Sequence, residues 1–592
     1  MAEPRRALRL AAALLLATVA GAALHADGSR ADVELAKARA ALTRSDGVGA
    51  EIALRAALNE GVPRDRVAAG MGEALLYQGQ PDAAREWLGK GEFAPGEAIH
   101  GFRMLARLEV VQGNLPAAGK ALDRAIAIDP RRAEIWVDVA QLRYRGGEQI
   151  QAIAAVEQAL EIAPANPRAL MFRGLLLRDS DGPGAAIPWF EAALLKDRSN
   201  PELLAEYAAT LGDMGQANRM LAVTRQMLAQ GANAPRAMFY QAVMAARAGD
   251  VSLARALMNK VGDRLGAMPA ARLLEAALEL EAGNANVAAQ ELERLFAEQP
   301  QNETVRNLLA RAYAGAGQPQ RLVEQLAPYA ARPGASPYLL TLVGRALEDL
   351  GRREEAAPFL DRAAMIAAPG LDPVIEPQPL DGVAARYRAA PRSPDAAIAY
   401  ARALVGAGRA GEAEGVAERL RAEMPGLGAG QAAAGDVQYA LGRYPAALER
   451  YGVAARVRLD DALLARMVLA ASRSGQAAQG AALVTTFLGS QPASRPAARL
   501  AADFAASGGD WPRARMLLRH LHDTGGSRDV RLLADMAFAS LRLGDLSAAQ
   551  EAASAAYRLQ PASRVAAQAW AMALTARKQD GDLAEALAAR AR

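Results

Sequence analysis

From residue 99 to residue 199 the chain repeats its side-chain pattern every 34 residues without a gap, and this period restricts the fold more than any other property of the chain. Alanines recur at Ala125, Ala159 and Ala193. A second column of small residues runs Ala106, Ala140, Gly174 and Ala208, and a third runs Ala118, Ala152 and Ala186. Bulky residues fall between them: Trp136, Leu170 and Leu204 in one column, Leu122, Val156 and Phe190 in another. Pro130 and Pro164 punctuate the ends. Each unit therefore reads as an apolar helix of about three turns, a Gly-containing turn, a second helix and a proline. Small residues are needed where two helix backbones cross closely, and a large residue nearby fills the gap they leave.

These columns resemble the tetratricopeptide repeat family, a 34-residue helix–turn–helix with a large residue early in helix A, small residues at the crossing, an aromatic in helix B and a terminal proline. The stretches AEIWVDVAQLRYRGGEQIQAIAAVEQALEIAP (Ala133–Pro164) and SPYLLTLVGRALEDLGRREEAAPFLDRAAMIAAPG (Ser336–Gly370) carry the resemblance best. It implies an all-α fold, a right-handed superhelical solenoid of helix–turn–helix repeats. It also implies a binding scaffold, without naming what is bound.

A solenoid also suits the length of 592 residues, because each repeat packs only on its neighbours and the array has no size limit. Residues of hydrophobic type make up 52% of the chain but aromatics only 5%, so its apolar content is largely alanine. Alanine is the strongest helix former, yet it buries little area, so stability has to be summed over many small interfaces. The formal charge is +4, with basic and acidic residues interspersed rather than gathered into a basic stripe, which argues against a nucleic-acid partner. There is no cysteine, which excludes disulfides, Cys-ligated zinc, a Cys nucleophile and a lipobox.

The first residues have a targeting shape. Arg5, Arg6 and Arg9 precede the uncharged stretch Leu10–Leu24, and Ala20-Gly21-Ala22 offers a small-x-small cleavage site. Residues 1–26 are thus expected to be a signal peptide or membrane anchor, with membrane association through residues 8–24, and the body is expected to be exported, periplasmic or membrane-associated. Fifteen residues is short for a spanning helix, which needs about 20, and this favours cleavage.

Turns then recur at Gly79, Gly215, Gly249, Gly283, Gly317 and Gly351 in an N-terminal array of about ten repeats over residues 27–368. The next turn, Gly408, comes 57 residues after Gly351. Between them stand Pro369, Pro373, Pro377, Pro379, Pro391 and Pro394, which a helix interior does not accommodate. Residues 369–393 are therefore expected to be a linker, with a short helix at Val383–Ala389. Turns resume at Gly442, Gly475, Gly509 and Gly544, and Gly581 lies near the end of a C-terminal array of about six repeats over residues 394–592 whose last helix caps the stack.

Repeats on this scale leave no room for a separate catalytic fold, so no enzyme, cofactor or metal is expected. Gly113 and Gly119-Lys120 have the wrong spacing for a phosphate loop, and Gly426, Gly428 and Gly430 read as a loop with no preceding strand. His520 and His522, two residues apart, point to different sides of a helix. What remains is the concave face that the family resemblance implies, lined by helix A. On it fall Arg103 and Arg107, then Val137, Gln141, Tyr144 and Arg145, then Met171 and Arg178. Arginines and a tyrosine there would suit an acidic or C-terminal peptide or a negatively charged glycan.

The expected function is a protein–protein interaction scaffold whose partners are other proteins or peptide segments. Exported arrays of this kind resemble scaffold components of bacterial envelope machines, in exopolysaccharide synthesis and export or pilus assembly. The alternative is a cytosolic adaptor or co-chaperone whose apolar N-terminus is merely a first helix.

Overall fold

The computed structural model describes residues 30–230, 234–332, 335–364, 380–561 and 563–591. The expected signal or anchor over residues 1–26, and residues 369–379 of the expected linker, lie outside them. Among the described residues there are 33 α-helices and no strand. None of these helices is long and apolar enough to cross a membrane.

Ten helix pairs run from Arg30–Thr43 with Gly47–Asn59 to Pro337–Asp349 with Arg353–Ala364. A single helix, Leu380–Ala389, follows, and then six pairs from Pro394–Gly406 with Ala410–Glu423 to Arg564–Arg577 with Gly581–Ala591. The fold is an all-α helical repeat solenoid. Leu380–Ala389 forms where Pro379 and Pro391 flank the segment without interrupting it. It is anchored by buried Val383 and by Tyr387, whose ring stacks on Tyr400 at 4.9 Å.

The period is written into the backbone at the turns. Gly79, Gly113, Gly147, Gly215, Gly249 and Gly283 all have φ between 69° and 83°, the left-handed region that favours glycine. At the first of these, Gln80 N–H donates to the Leu75 carbonyl at 3.0 Å, the closing bond of a Schellman turn. Asn114, Asp250, Asp510 and Asp545 then cap the next helix with their side chains. At the last pair the left-handed residue is Lys578, with φ 56°, and Gly581 instead opens the final helix. Gly428 and Gly430 are likewise helical and do not form a loop. A Cβ on Gly428 would stand 2.9 Å from Val457 Cβ, so the glycine serves close packing.

Residues up to Phe172 form one compact unit and those from Arg173 onward a second. In the first, Leu35, Leu54, Met71, Leu88 and Leu108 share one buried cluster across three helix pairs, while Leu122 and Val156 of the bulky column are buried. In the second, buried clusters follow one another along the stack, as around Leu309 and Tyr313 and again around Tyr439 and Tyr451. Phe190, fully buried, occupies the space left by Gly174, where a Cβ would stand 2.8 Å from its ring. The second unit also contains a contact between distant residues. Leu459 N–H donates to the Asp179 carbonyl at 2.8 Å, and Gly184 approaches so closely that a Cβ would lie 3.4 Å from Ser490 Cα.

Candidate interaction surface

Helix A of each pair carries charged side chains that reach the A helices of the adjoining pairs. In the first unit, Arg103 on Ala98–Val111 donates through Nε to Asp138 Oδ2 at 2.5 Å. Arg168, two pairs further on, donates to the other oxygen of the same carboxylate at 2.8 Å. One aspartate therefore holds guanidinium groups from the repeats on either side. Arg103 and Asp138 are both only 16% exposed at the side chain, so Arg103 is engaged within the protein. Charge-assisted bonds of this kind are the stronger class of hydrogen bond.

Next to this bridge Glu73 bonds His100 Nε2 at 2.8 Å and accepts from the Tyr77 hydroxyl at 3.2 Å. Arg107 lies 5.0 Å above the Tyr77 ring. Burial pushes the Glu73 carboxyl up, but His100, Tyr77 and Arg107 together outweigh it and hold the group below its ordinary value. A depressed carboxylate contributes stability that is present above its unfolded value, near 4.5, and is lost as pH falls through the folded one. Glu73→Gln is therefore expected to lower the stability of the first unit by about 1–3 kcal/mol at pH 7. It should also flatten the loss between pH 5 and pH 3, as read by urea unfolding. An unchanged acid profile would count against this role.

The remaining positions expected on the concave face divide by burial. Arg107 and Arg145 are exposed, and Gln141 and Tyr144 are half-buried, with the Tyr144 ring edge-on to Phe172 at 6.3 Å. Val137 is fully buried and belongs to the core. Its neighbour Trp136 is half-buried and donates through its indole N–H to the Pro130 carbonyl at 2.8 Å. In the second unit Arg178 donates to Glu206 at 2.8 Å and approaches Thr210 at 3.4 Å, so it too is paired. The reading of the arginines as a free cationic lining is corrected at Arg103 and Arg178, because carboxylates of the next helix A neutralise them.

The bridge recurs in the second unit. Arg402 donates to Asp436 at 2.9 Å from 34 residues away. Arg466 Nε lies 3.2 Å from the other Asp436 oxygen, which also accepts the Tyr451 hydroxyl at 2.9 Å. Asp436 is 1% exposed. Burial, followed by the charge and hydrogen bond of Asp436, drives the Tyr451 phenol well above its ordinary value, so it stays a donor. The spacings, 35 and 30 residues in the first unit and 34 and 30 in the second, are the signal by which these carboxylates could have been found.

Residues 103–167 and 150–202 match the model of the tetratricopeptide repeat. A protein of Xanthomonas axonopodis pv. citri (strain 306), named cellulose synthase operon protein C, is 28% identical over 310 residues, 49% of this chain. The match spans 18% of that relative's length. Among solved structures, the type IV pilus biogenesis factor PilW is 20% identical, with 36% of this chain and 99% of that chain covered and a TM-score of 0.31. Pseudomonas aeruginosa PilF is 20% identical, with coverage of 34% and 91% and a TM-score of 0.29. Its 34-residue helix pairs, left-handed glycine turns and matched repeat stretch make this chain a member of the tetratricopeptide repeat family.

Proposed function

We propose that the chain is a non-enzymatic scaffold of a bacterial cell envelope, exported through its N-terminal segment and holding protein partners that assist exopolysaccharide synthesis or export, or pilus assembly. Stacked repeats typically serve as non-catalytic binding surfaces, since the stack exposes an extended face while its chemistry is spent on packing. The observation that carries the envelope reading is the 310-residue similarity to cellulose synthase operon protein C. The charged N-terminal arginines followed by an apolar stretch support export.

In this reading the first-unit surface with Arg107, Gln141, Tyr144 and Arg145 receives an acidic peptide segment, with the paired Arg103 and Arg178 positioning its walls. In-cell cross-linking followed by affinity capture tests it, with the protein's own N-terminal peptide read in the same run. A processed or membrane-held chain bringing down envelope synthases, outer-membrane pores or pilus components is the expected result. An intact Met1 in a soluble fraction that brings down cytosolic chaperones would replace it with the adaptor reading. Arg107→Ala with Arg145→Glu is expected to weaken capture at least tenfold while leaving the Asp138 bridge intact, and undiminished capture would remove that surface from the proposal.

A further inference from the structure

Near the C-terminus three successive A helices, Arg495–Ser507, Val530–Arg542 and Arg564–Arg577, together with Trp511 of the intervening helix, enclose a groove of about 430 Å³. Its floor is made of small side chains, Ala502, Ala506, Ala534 and Ala569, so depth is available where a larger residue would have filled it. Phe538 stands in its wall at 39% exposure, one of the few large apolar side chains left open to solvent. The family match over residues 103–202 does not reach this region.

The charges around the groove are unevenly satisfied. Asp535 accepts from both Arg499 and Arg531, the latter at 3.0 Å. Asp503, one turn from Arg499, has only that guanidinium, at 3.6 Å, and accepts no hydrogen bond among the described residues. Its surroundings reflect this shortage. Burial, aided by repulsion from Asp535, outweighs Arg499 and Arg531 and lifts its carboxyl above the ordinary aspartate value. Asp503 thus has acceptor capacity left over, on the rim of an alanine floor and opposite an exposed aromatic ring.

We infer that this groove seats an arginine side chain of a partner polypeptide. The aliphatic stem would lie on the alanine floor, the guanidinium would pair with Asp503, and the Phe538 ring would offer its face to the cation. A long stem with a charged head covers apolar surface while keeping its charge at the rim, and a guanidinium is attracted to an aromatic face when partly desolvated. Arg531 does not repel the incoming cation, because Asp535 already balances it. An acidic ligand finds no such opening, since both nearby arginines are engaged. The inference rests on the scaffold reading but reverses the sign of recognition expected at the first unit.

The test uses the full chain and fluorescein-labelled 12-residue peptides of alanine and leucine carrying one central arginine, citrulline or glutamate, followed by fluorescence polarisation. The arginine peptide is expected to bind at least tenfold more tightly than the other two. Asp503→Asn and Phe538→Ala are each expected to lose that preference at unchanged thermal unfolding. Absence of binding, equal binding of the citrulline or glutamate peptide, or an unaffected Asp503→Asn variant would overturn it. Capture of envelope partners is measured separately. If partners are captured but the arginine preference is missing, the groove assignment falls and the scaffold stands; if the preference holds without envelope partners, the envelope reading falls and the groove stands.

Discussion

Asp436→Ala is expected to cost the repeats around it about 3–5 kcal/mol, the typical penalty for removing one partner of a buried charge pair. The side chain is almost wholly enclosed, and its loss would leave the Arg402 and Arg466 guanidiniums and the Tyr451 hydroxyl without their shared acceptor. Because the pairs fold as a stack, the measurement is hydrogen exchange resolved along the chain, read as faster exchange across 394–473. Asp436→Asn keeps the shape and one acceptor oxygen but loses the charge, so it should fall between the two. Replacing Arg402, Asp436 and Arg466 together by apolar residues of similar volume is expected to recover most of the loss, since a whole buried ion cluster can be exchanged for packing at small net cost. Equal exchange in wild type and Asp436→Ala would show that the bridge adds nothing.

The second large effect lies at Phe190. Truncation to alanine empties a fully buried aromatic site and is expected to cost about 3–5 kcal/mol. Its partner Gly174 behaves in the opposite sense. A methyl group there meets the ring at 2.8 Å and should cost about 1–3 kcal/mol by overpacking. The two positions are therefore coupled, and Gly174→Ala should be milder in a Phe190→Leu background, a double-mutant cycle readable by urea unfolding. Strict additivity would mean that the surrounding helices, and not this pair, set the spacing.

Both predictions bear on how far the fold could be read from the chain. The Gly174–Phe190 pair was visible as two columns, because close helix crossings demand a small residue beside a large one and repeat this at a fixed interval. The turns were visible for a similar reason, since a left-handed backbone position selects glycine. The charged bridges were not read, although Arg103, Asp138 and Arg168 are separated by near-repeat intervals. Periodicity marks a face of helix A, but it does not say which carboxylate of a neighbouring helix turns toward which arginine. Arg103 was therefore assigned to an open face when it is two-thirds of an ion triad. Val137 was misplaced by the same ambiguity, one position from the half-buried Trp136. The C-terminal groove left still less trace, because it is made by alanines that look like ordinary helix formers until three A helices place them around one space.

The hydrogen bond from Leu459 to Asp179, with Gly184 close against Ser490, has a mechanical meaning. In a stack where each unit touches only its neighbours, a pull on the two ends loads every interface in series, and the chain peels from its extremities. Here 280 residues lie between the two bonded positions. While that bridge holds, tension runs across it and bypasses the helices between. Extension would begin with a brief yield at the bridge, and only afterwards would the enclosed repeats feel the load.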